Sequence, residues 1–281
     1  MPAPDERLDG GHTTEVHRHG DTVRRGVGHW TPAVHRLLRH LEGVGFDGAP
    51  RVLGLDATGR DGREREVLVY VEGEVGTLAP DRPLAPWFRT PEACRAIGAW
   101  IAEFHVAQRG WTPDPEEPWR RAAGRPRHEG EVAVHHDVSP PNTVRRPDGR
   151  LVVVDWDFTR LGDPLEDLAW AAWRWAPLFT GRWWHAEYDI GPDDGADGDA
   201  TVRQRTNLAA VIEGYGCTPG QRARLAGTIA GVMTTHADDL DEMARTDPAF
   251  QALVDRGYSR RARADAQWWV DVGEEWVTEA T

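Results

Sequence analysis

EVAVHHDVSPPNTVRRPDGRLVVVDWDFTRLGDPLEDLA, from Glu131 to Ala169, alternates short apolar runs with polar turns and closes on a helix start. Glu131 to His135 predicts a short strand, and His136 to Pro141 a polar loop. Asn142 to Arg146 and Leu151 to Asp157 predict two strands joined by Pro147-Asp148-Gly149. That turn has a mechanism in each residue: Pro fixes φ, Asp bonds locally, and Gly accepts positive φ. Asp163-Pro164-Leu165-Glu166 places a capping carboxylate, then Pro at the first helical position, then an acidic side chain in the first turn, so a helix is expected from Asp163.

On this frame His135-x-Asp137-x-x-x-x-Asn142 has the spacing of the kinase catalytic loop, and Asp155 follows at the end of the next strand, where a metal-binding Asp is expected. Phosphoryl transfer needs one carboxylate that accepts the proton of the acceptor hydroxyl. It also needs separate oxygen ligands for magnesium, a hard cation that keeps several waters. Asp137, with His135 beside it, fills the catalytic place, and Asn142 and Asp155 the metal place. The chain holds twelve His, twenty-six Asp and only two Asn, Asn142 and Asn207. A chance match to H-x-D-x4-N is therefore expected about one time in a hundred. The competing reading makes Asp137 and Asn142 turn residues beside two prolines, and it leaves Asp155 unexplained.

The same residues resemble the aminoglycoside phosphotransferase family, whose pattern is close to H-G-D-x-x-P-x-N, then I-D-[FW], then G-D-P-x-x-D-L-A. Here these stand as His135-His136-Asp137-Val138-Ser139-Pro140-Pro141-Asn142, Val154-Asp155-Trp156 and Gly162-Asp163-Pro164-Leu165-Glu166-Asp167-Leu168-Ala169. His136 takes the place of the usual Gly. The resemblance implies an α+β, two-lobed protein-kinase-like fold, with a small mixed N-lobe built on an antiparallel sheet and a larger, mainly helical C-lobe. It implies a nucleotide-binding lobe over residues 1–73 and a catalytic and helical substrate lobe over 74–281. It also implies ATP and Mg2+ as cofactors, and a small-molecule hydroxyl as acceptor.

Towards the N-terminus, Leu8 to Arg25 reads as strands about glycine turns and looks like the family's nucleotide-covering hairpin, with Gly10 and Gly11 at the phosphate approach. The chain has no lysine, so all thirty-three basic side chains counted are Arg. That excludes a Walker A loop ending in G-K-[ST]. It also leaves the kinase strand Lys to be replaced by Arg24, the first candidate for the phosphate contact, or by Arg25, since alternation aims only one of them inward. Arg offers a planar fork where Lys offers a point charge. Thr31-Pro32 starts a helix through Leu41 with Val34, Leu37, Leu38 and Leu41 at helical spacing. The family's helix Glu is replaced here by Val34 or His35, so its pair with the strand Lys is expected to be lost. Val69-Tyr70-Val71-Glu72-Gly73 resembles the hinge whose backbone receives adenine, which makes Val71 and Glu72 nucleotide-site candidates.

Pro91 to His105 predicts a helix. Trp170, Trp173 and Trp175, with Trp183, Trp184, Trp268, Trp269 and Trp276, read as core rather than as a ligand platform. Thr206 to Tyr215, Gln221 to Asp239 and Asp247 to Val254 are helical by pattern. Asp189 to Asp199 is an acidic, Gly-rich segment that would attract a polyamine or aminosugar if it met substrate.

Composition narrows the function classes. A net charge of −13 argues against nucleic acid and acidic membranes, which basic patches bind, and is compatible with cationic substrates. No apolar run is long enough to span a membrane and MPAPDERLDGG lacks a signal pattern, so a cytoplasmic location is expected. Cys94 and Cys217 are too few for a disulfide framework and read as small buried hydrophobes. His12, His17 and His19 lack zinc-site companions. The two serines, Ser139 and Ser259, fall in no nucleophile elbow. The reading is an ATP-dependent phosphotransferase acting on a small-molecule hydroxyl, aminoglycoside-like or another metabolite. Its alternative is a nucleotide-binding pseudokinase or regulatory module. The oligomeric state is left open.

Overall fold

The computed structural model describes residues 5–8, 15–57, 62–76, 84–114, 118–120, 130–180 and 197–280. Gly10, Gly11, Trp183, Trp184 and Asp189 to Ala196 of the acidic segment lie outside the described residues. The chain separates into two compact units, the first made of residues 1–75, 103–137 and 142–163, the second of 76–102, 138–141 and 164–281.

The first unit carries a five-stranded antiparallel sheet in the order β1-β2-β3-β5-β4, from β1 (Asp5–Leu8), β2 (Val16–His19), β3 (Thr22–Gly26), β4 (Val52–Asp56) and β5 (Arg65–Val69). Helix α1 (Thr31–Gly43) has Pro in its first turn, where the missing N–H costs nothing, and buries Val34, Leu37, Leu38 and Leu41. Those are the residues whose spacing predicts the helix. Beyond the sheet, β6 (Glu74–Val75), β8 (Thr143–Arg145) and β9 (Leu151–Val153) form a three-stranded antiparallel ladder. β7 (Val132–Val134) pairs with β10 (Arg160–Gly162). The expected strands at Asn142 to Arg146 and Leu151 to Asp157 are thus present as shorter pieces. Pro140–Asn142 and Trp156–Phe158 take 3-10 turns at their ends. Phe104 links the ends of this unit's core, with ring centroids 6.1 Å from Phe46 and 5.2 Å from Trp156.

The second unit is helical: α3 (Leu165–Trp175), α4 (Asp197–Tyr215), α5 (Pro219–Met243), α6 (Pro248–Asp255) and α7 (Tyr258–Glu279), with the first part of α2 (Pro91–Ala107). Helix α3 begins at Leu165 after an N-cap at Pro164, and no side chain caps it, so the expected Asp163 cap is replaced by a start one residue on. Helix α5 opens on a reciprocal capping box between Thr218 and Gln221. Of the tryptophans of α3 and α7, Trp170, Trp173, Trp175, Trp269 and Trp276 are buried in the core, while Trp268, also expected there, is half-buried. Trp269 Nε1 donates to Ala226 O at 3.0 Å, so its polar end is satisfied inside the helix pair. Helices α2 and α4 approach at backbone distance. A Cβ on Gly98 would meet Val211 O at 2.3 Å, and one on Gly214 would meet Arg95 O at 2.0 Å, so both positions require glycine. Cys94 is buried and Cys217 half-buried, and both thiols are free.

Candidate active site

Every candidate of the catalytic stretch falls in the first unit. Asp137 follows β7, Asn142 precedes β8, and Asp155 follows β9. The backbone bond from Val154 N to Asn142 O, 2.8 Å, sets the last two side by side at the open end of the β8-β9 hairpin. Asn142 Nδ2 donates to Asp137 Oδ2 at 2.7 Å and to Asp137 O at 3.1 Å. With its amide nitrogen spent on the loop, Asn142 keeps its carbonyl oxygen for another partner.

His135 is fully buried, and its ring is held edge-on to Trp156 at 4.6 Å. Asp137 N donates to His135 Nδ1 at 3.3 Å, so that nitrogen accepts and Nε2 carries the proton toward Val154 O, 3.1 Å away. Both nitrogens are therefore engaged in the loop's own backbone. His135, expected beside Asp137 as a catalytic residue, is thus placed there with each ring nitrogen bonded to backbone. His136 has φ +60°, the left-handed region that favours the glycine standing there in the resembled pattern. Its Nε2 lies 2.9 Å from an Arg160 guanidinium nitrogen, which helps hold the loop in that conformation.

Arg25 and Glu66 face each other in the register of β3 and β5. The Arg25 guanidinium, 6 % exposed, donates through Nε to Glu66 Oε1, through Nη1 to Asp155 Oδ1 at 2.8 Å, and through Nη2 to Asp157 Oδ1 at 2.7 Å. Burial works against its charge, but Asp157, Glu66 and Asp155 together hold its pKa above the ordinary arginine value. Glu66 is also bonded to His35 Nε2 at 2.7 Å. Burial pushes the Glu66 carboxyl up, and the His35 bond and the Arg25 charge outweigh it, leaving Glu66 below the usual carboxylate range. Asp157 goes the other way. Its burial and the neighbouring Asp155 raise it against the pull of Arg25. Arg120 lies 3.4 Å from Asp157 and over the rings of Trp30 and Phe158 at 4.3 and 4.7 Å.

Two expectations change here. Arg24, the first candidate for the phosphate contact, turns to the opposite sheet face and pairs with Asp56 at 2.8 Å. Strand alternation assigns the inward place to Arg25. The pair expected to be lost is rebuilt: the carboxylate comes from Glu66 on β5, and His35 on α1 supports it. Glu66 and Asp157 were missed: the β3–β5 register brings Glu66 to Arg25, and the 3-10 turn after β9 brings Asp157. Val71 and Glu72 sit in the extended link between β5 and β6, Glu72 exposed.

The donor set fits a magnesium–nucleotide site. Asp155 offers a second carboxylate oxygen on a side chain that is 36 % exposed, and Asn142 offers its amide oxygen. One or two protein oxygens completed by phosphates and waters are what magnesium takes. No group of three or more His, Cys, Asp or Glu that could hold a metal alone occurs among the described residues.

The chain is 33% identical over 239 residues to the trifolitoxin immunity protein of Rhizobium leguminosarum bv. trifolii, a match spanning 85% of this chain and 83% of that protein. Residues 116–196 match the phosphotransferase enzyme family. The chain belongs to the phosphotransferase enzyme family. Its fold is that of solved kinases of this kind. One is amicoumacin kinase hAmiN, in complex with AMP-PNP, Ca2+ and Ami, with a TM-score of 0.62 at 12% identity over 92% of this chain and 88% of that one. Another is the spectinomycin phosphotransferase APH(9)-Ia, in complex with ADP and spectinomycin, with a TM-score of 0.57 at 12% identity over 94% and 92%. At that identity the likeness speaks to the α+β architecture alone. No helix among the described residues is long and apolar enough to cross a membrane.

Proposed function

We propose that this phosphotransferase family member transfers the γ-phosphoryl group of ATP to a hydroxyl of a small molecule, with Mg2+. The observation that carries the reading is the joint placement of Asp137, Asn142, Asp155 and Arg25: an Asp137 carboxylate oriented by the Asn142 amide, and Asp155 beside Asn142 with a buried Arg25 cation on its carboxylate. The acceptor O–H gives its proton to the Asp137 carboxylate while its oxygen bonds to the γ-phosphorus. The bond from that phosphorus to the bridging oxygen breaks, and ADP leaves. Asn142 and Asp155 would hold the magnesium, whose positive charge would offset the charge that develops on the phosphates. Arg25 contacts the phosphates in place of the absent lysine, and the Glu66–His35 pair keeps its fork aimed. The backbone of Val71 and Glu72 receives adenine, and the reaction takes place in the cytoplasm.

The relatives' names favour a toxic small molecule as acceptor, since one is an immunity protein and others phosphorylate amicoumacin and spectinomycin. An ADP-release screen over antibiotics, choline, homoserine and sugars tests the reading. Magnesium-dependent ADP release with at least one hydroxylated acceptor is the expected result. Nucleotide binding without release, on any acceptor or on water, would replace the reading by the pseudokinase alternative, which the absent lysine and the Arg25–Asp155 ion pair favour.

A further inference from the structure

Arg25 and Asp155 both belong to the first unit, as do Glu66, Asp157 and Asn142. Their contact, Nη1 to Oδ1 at 2.8 Å, ties the cation assigned to the phosphates to a carboxylate assigned to the metal. The two ends of this ion pair are held differently. The guanidinium is anchored on two further sides, by Glu66 through Nε and by Asp157 through Nη2, and both of those carboxylates are buried. The Asp155 side chain is 36 % exposed. Its backbone is nevertheless set: φ is +62°, in the left-handed region that Asp tolerates better than most residues, and Val154 just before it donates to Asn142 O at 2.8 Å. A change of partner at Asp155 therefore needs only its own side-chain torsions.

This arrangement disfavours a divalent cation that arrives alone. One of the two Asp155 oxygens is already bonded to Arg25. A metal on the other would stand beside a buried guanidinium, where like charges repel more strongly than in water. Side chains alone do not offset that repulsion, since no group of three or more His, Cys, Asp or Glu able to hold a metal occurs among the described residues. A polyphosphate changes both conditions. A guanidinium has five N–H donors, of which three serve Glu66, Asp155 and Asp157 here. The others can meet phosphate oxygens, whose negative charge offsets that of Arg25. The same phosphates complete the coordination of magnesium, which takes few protein oxygens.

Resting on the phosphotransferase reading for the roles of Asp155 and Asn142, we propose that Arg25 is a resident counter-ion of the metal-binding carboxylate and makes metal and nucleotide bind together. A divalent cation is held weakly until phosphate oxygens arrive. The coupling is reciprocal, because the factor by which nucleotide raises metal affinity is the factor by which metal raises nucleotide affinity. The device works through charge. A neutral side chain at position 25 releases Asp155 Oδ1 and removes the repulsion, whereas a lysine there retains a cation beside the carboxylate.

Titration of Mn2+ without nucleotide, followed by the paramagnetic resonance signal of the free ion, tests this. Arg25→Met should bind Mn2+ about tenfold to a hundredfold more tightly than wild type, the scale of a charged hydrogen bond, and Asp155→Asn added to it should abolish the gain. Arg25→Lys keeps the charge and should stay near wild type. Arg24→Met, whose arginine pairs with Asp56 on the opposite sheet face, should bind as wild type does. Because Arg25→Met leaves buried carboxylates short of a partner, the double variant Arg25→Met with Glu66→Gln is measured beside it, and melting curves check that each is folded. Failure of both to gain Mn2+ affinity overturns the proposal, as does a gain that survives Asp155→Asn or that Arg25→Lys shares in full. ADP release judges the phosphotransferase reading separately. Release without the Mn2+ gain keeps that reading and removes this proposal, while the gain at Asp155 without release leaves Arg25 as the counter-ion of a metal-binding pseudokinase.

Discussion

Replacing Arg25 by Met removes a cation that faces three carboxylates at once while roughly keeping the volume of its stem. Glu66 and Asp157, 2 % and 6 % exposed, then hold buried charge with reduced compensation. Breaking a buried ion pair from one side costs about 3 to 5 kcal/mol. Here Glu66 keeps His35 at 2.7 Å and Asp157 keeps Arg120 at 3.4 Å, while Asp155 reaches water. The expected loss is therefore at the lower end, about 3 kcal/mol, and adding Glu66→Gln should recover part of it. Arg24→Ala is the control. Its pair with Asp56 is partly exposed, and such pairs contribute less than about 1 kcal/mol. Urea denaturation of wild type, Arg25→Met and Arg24→Ala reads the stability. Titration of ATP and adenosine reads the phosphate contact, where Arg25→Met should cost ATP about 1.5 to 3 kcal/mol and adenosine much less. If Arg25→Met were as stable as wild type, or if Arg24→Ala erased the preference for ATP while Arg25→Met kept it, the assignment of the inward arginine would be wrong.

Asp155→Ala should abolish the rise in melting temperature that Mg-ATP gives, because that rise reports affinity for the native state. Survival of the shift in both Asp155→Ala and Asn142→Ala would move the metal elsewhere. Asp265 is buried in α7, where it accepts from Thr180 N at 2.7 Å and Trp173 Nε1 at 3.2 Å. Burial outweighs these bonds and lifts its carboxyl from 3.8 to about 6. A folded value above the unfolded one means that the native state binds the extra proton. Its contribution is present below about pH 4 and lost as pH rises through about 6, at most about 3 kcal/mol at 1.36 kcal/mol per unit. Asp265→Asn should flatten the stability–pH curve in that window, and an unchanged slope would remove Asp265 as its source.

The placement of Asp137, Asn142 and Asp155 was legible because it is local: the three are bound by spacing within one short stretch, and the hairpin turn at Pro147-Asp148-Gly149 explains how they meet. Helix α1 was legible for the same reason, from four apolar residues on one face. Arg25 was harder. Alternation says that only one of Arg24 and Arg25 points inward, and choosing between them requires the partner strand, whose Glu66 lies forty-one residues on. No sequence pattern gives that register. The loss expected for the helix carboxylate was likewise a local inference about Val34 and His35, and the sheet supplied the group instead. Helix α7 was seen only as scattered tryptophans, since its long amphipathic run is broken by charged residues and has no capping side chain at Gly257.

The central claim is that Asp137 takes the proton of the acceptor hydroxyl, and the most direct measurement is kcat of Asp137→Asn on whichever acceptor supports ADP release. The account predicts a fall of about 10² to 10⁴, the usual range for removing a general base, with ATP affinity and folding retained, because the Asn142 bond to Asp137 O remains. A variant that turned over at the wild-type rate would contradict it.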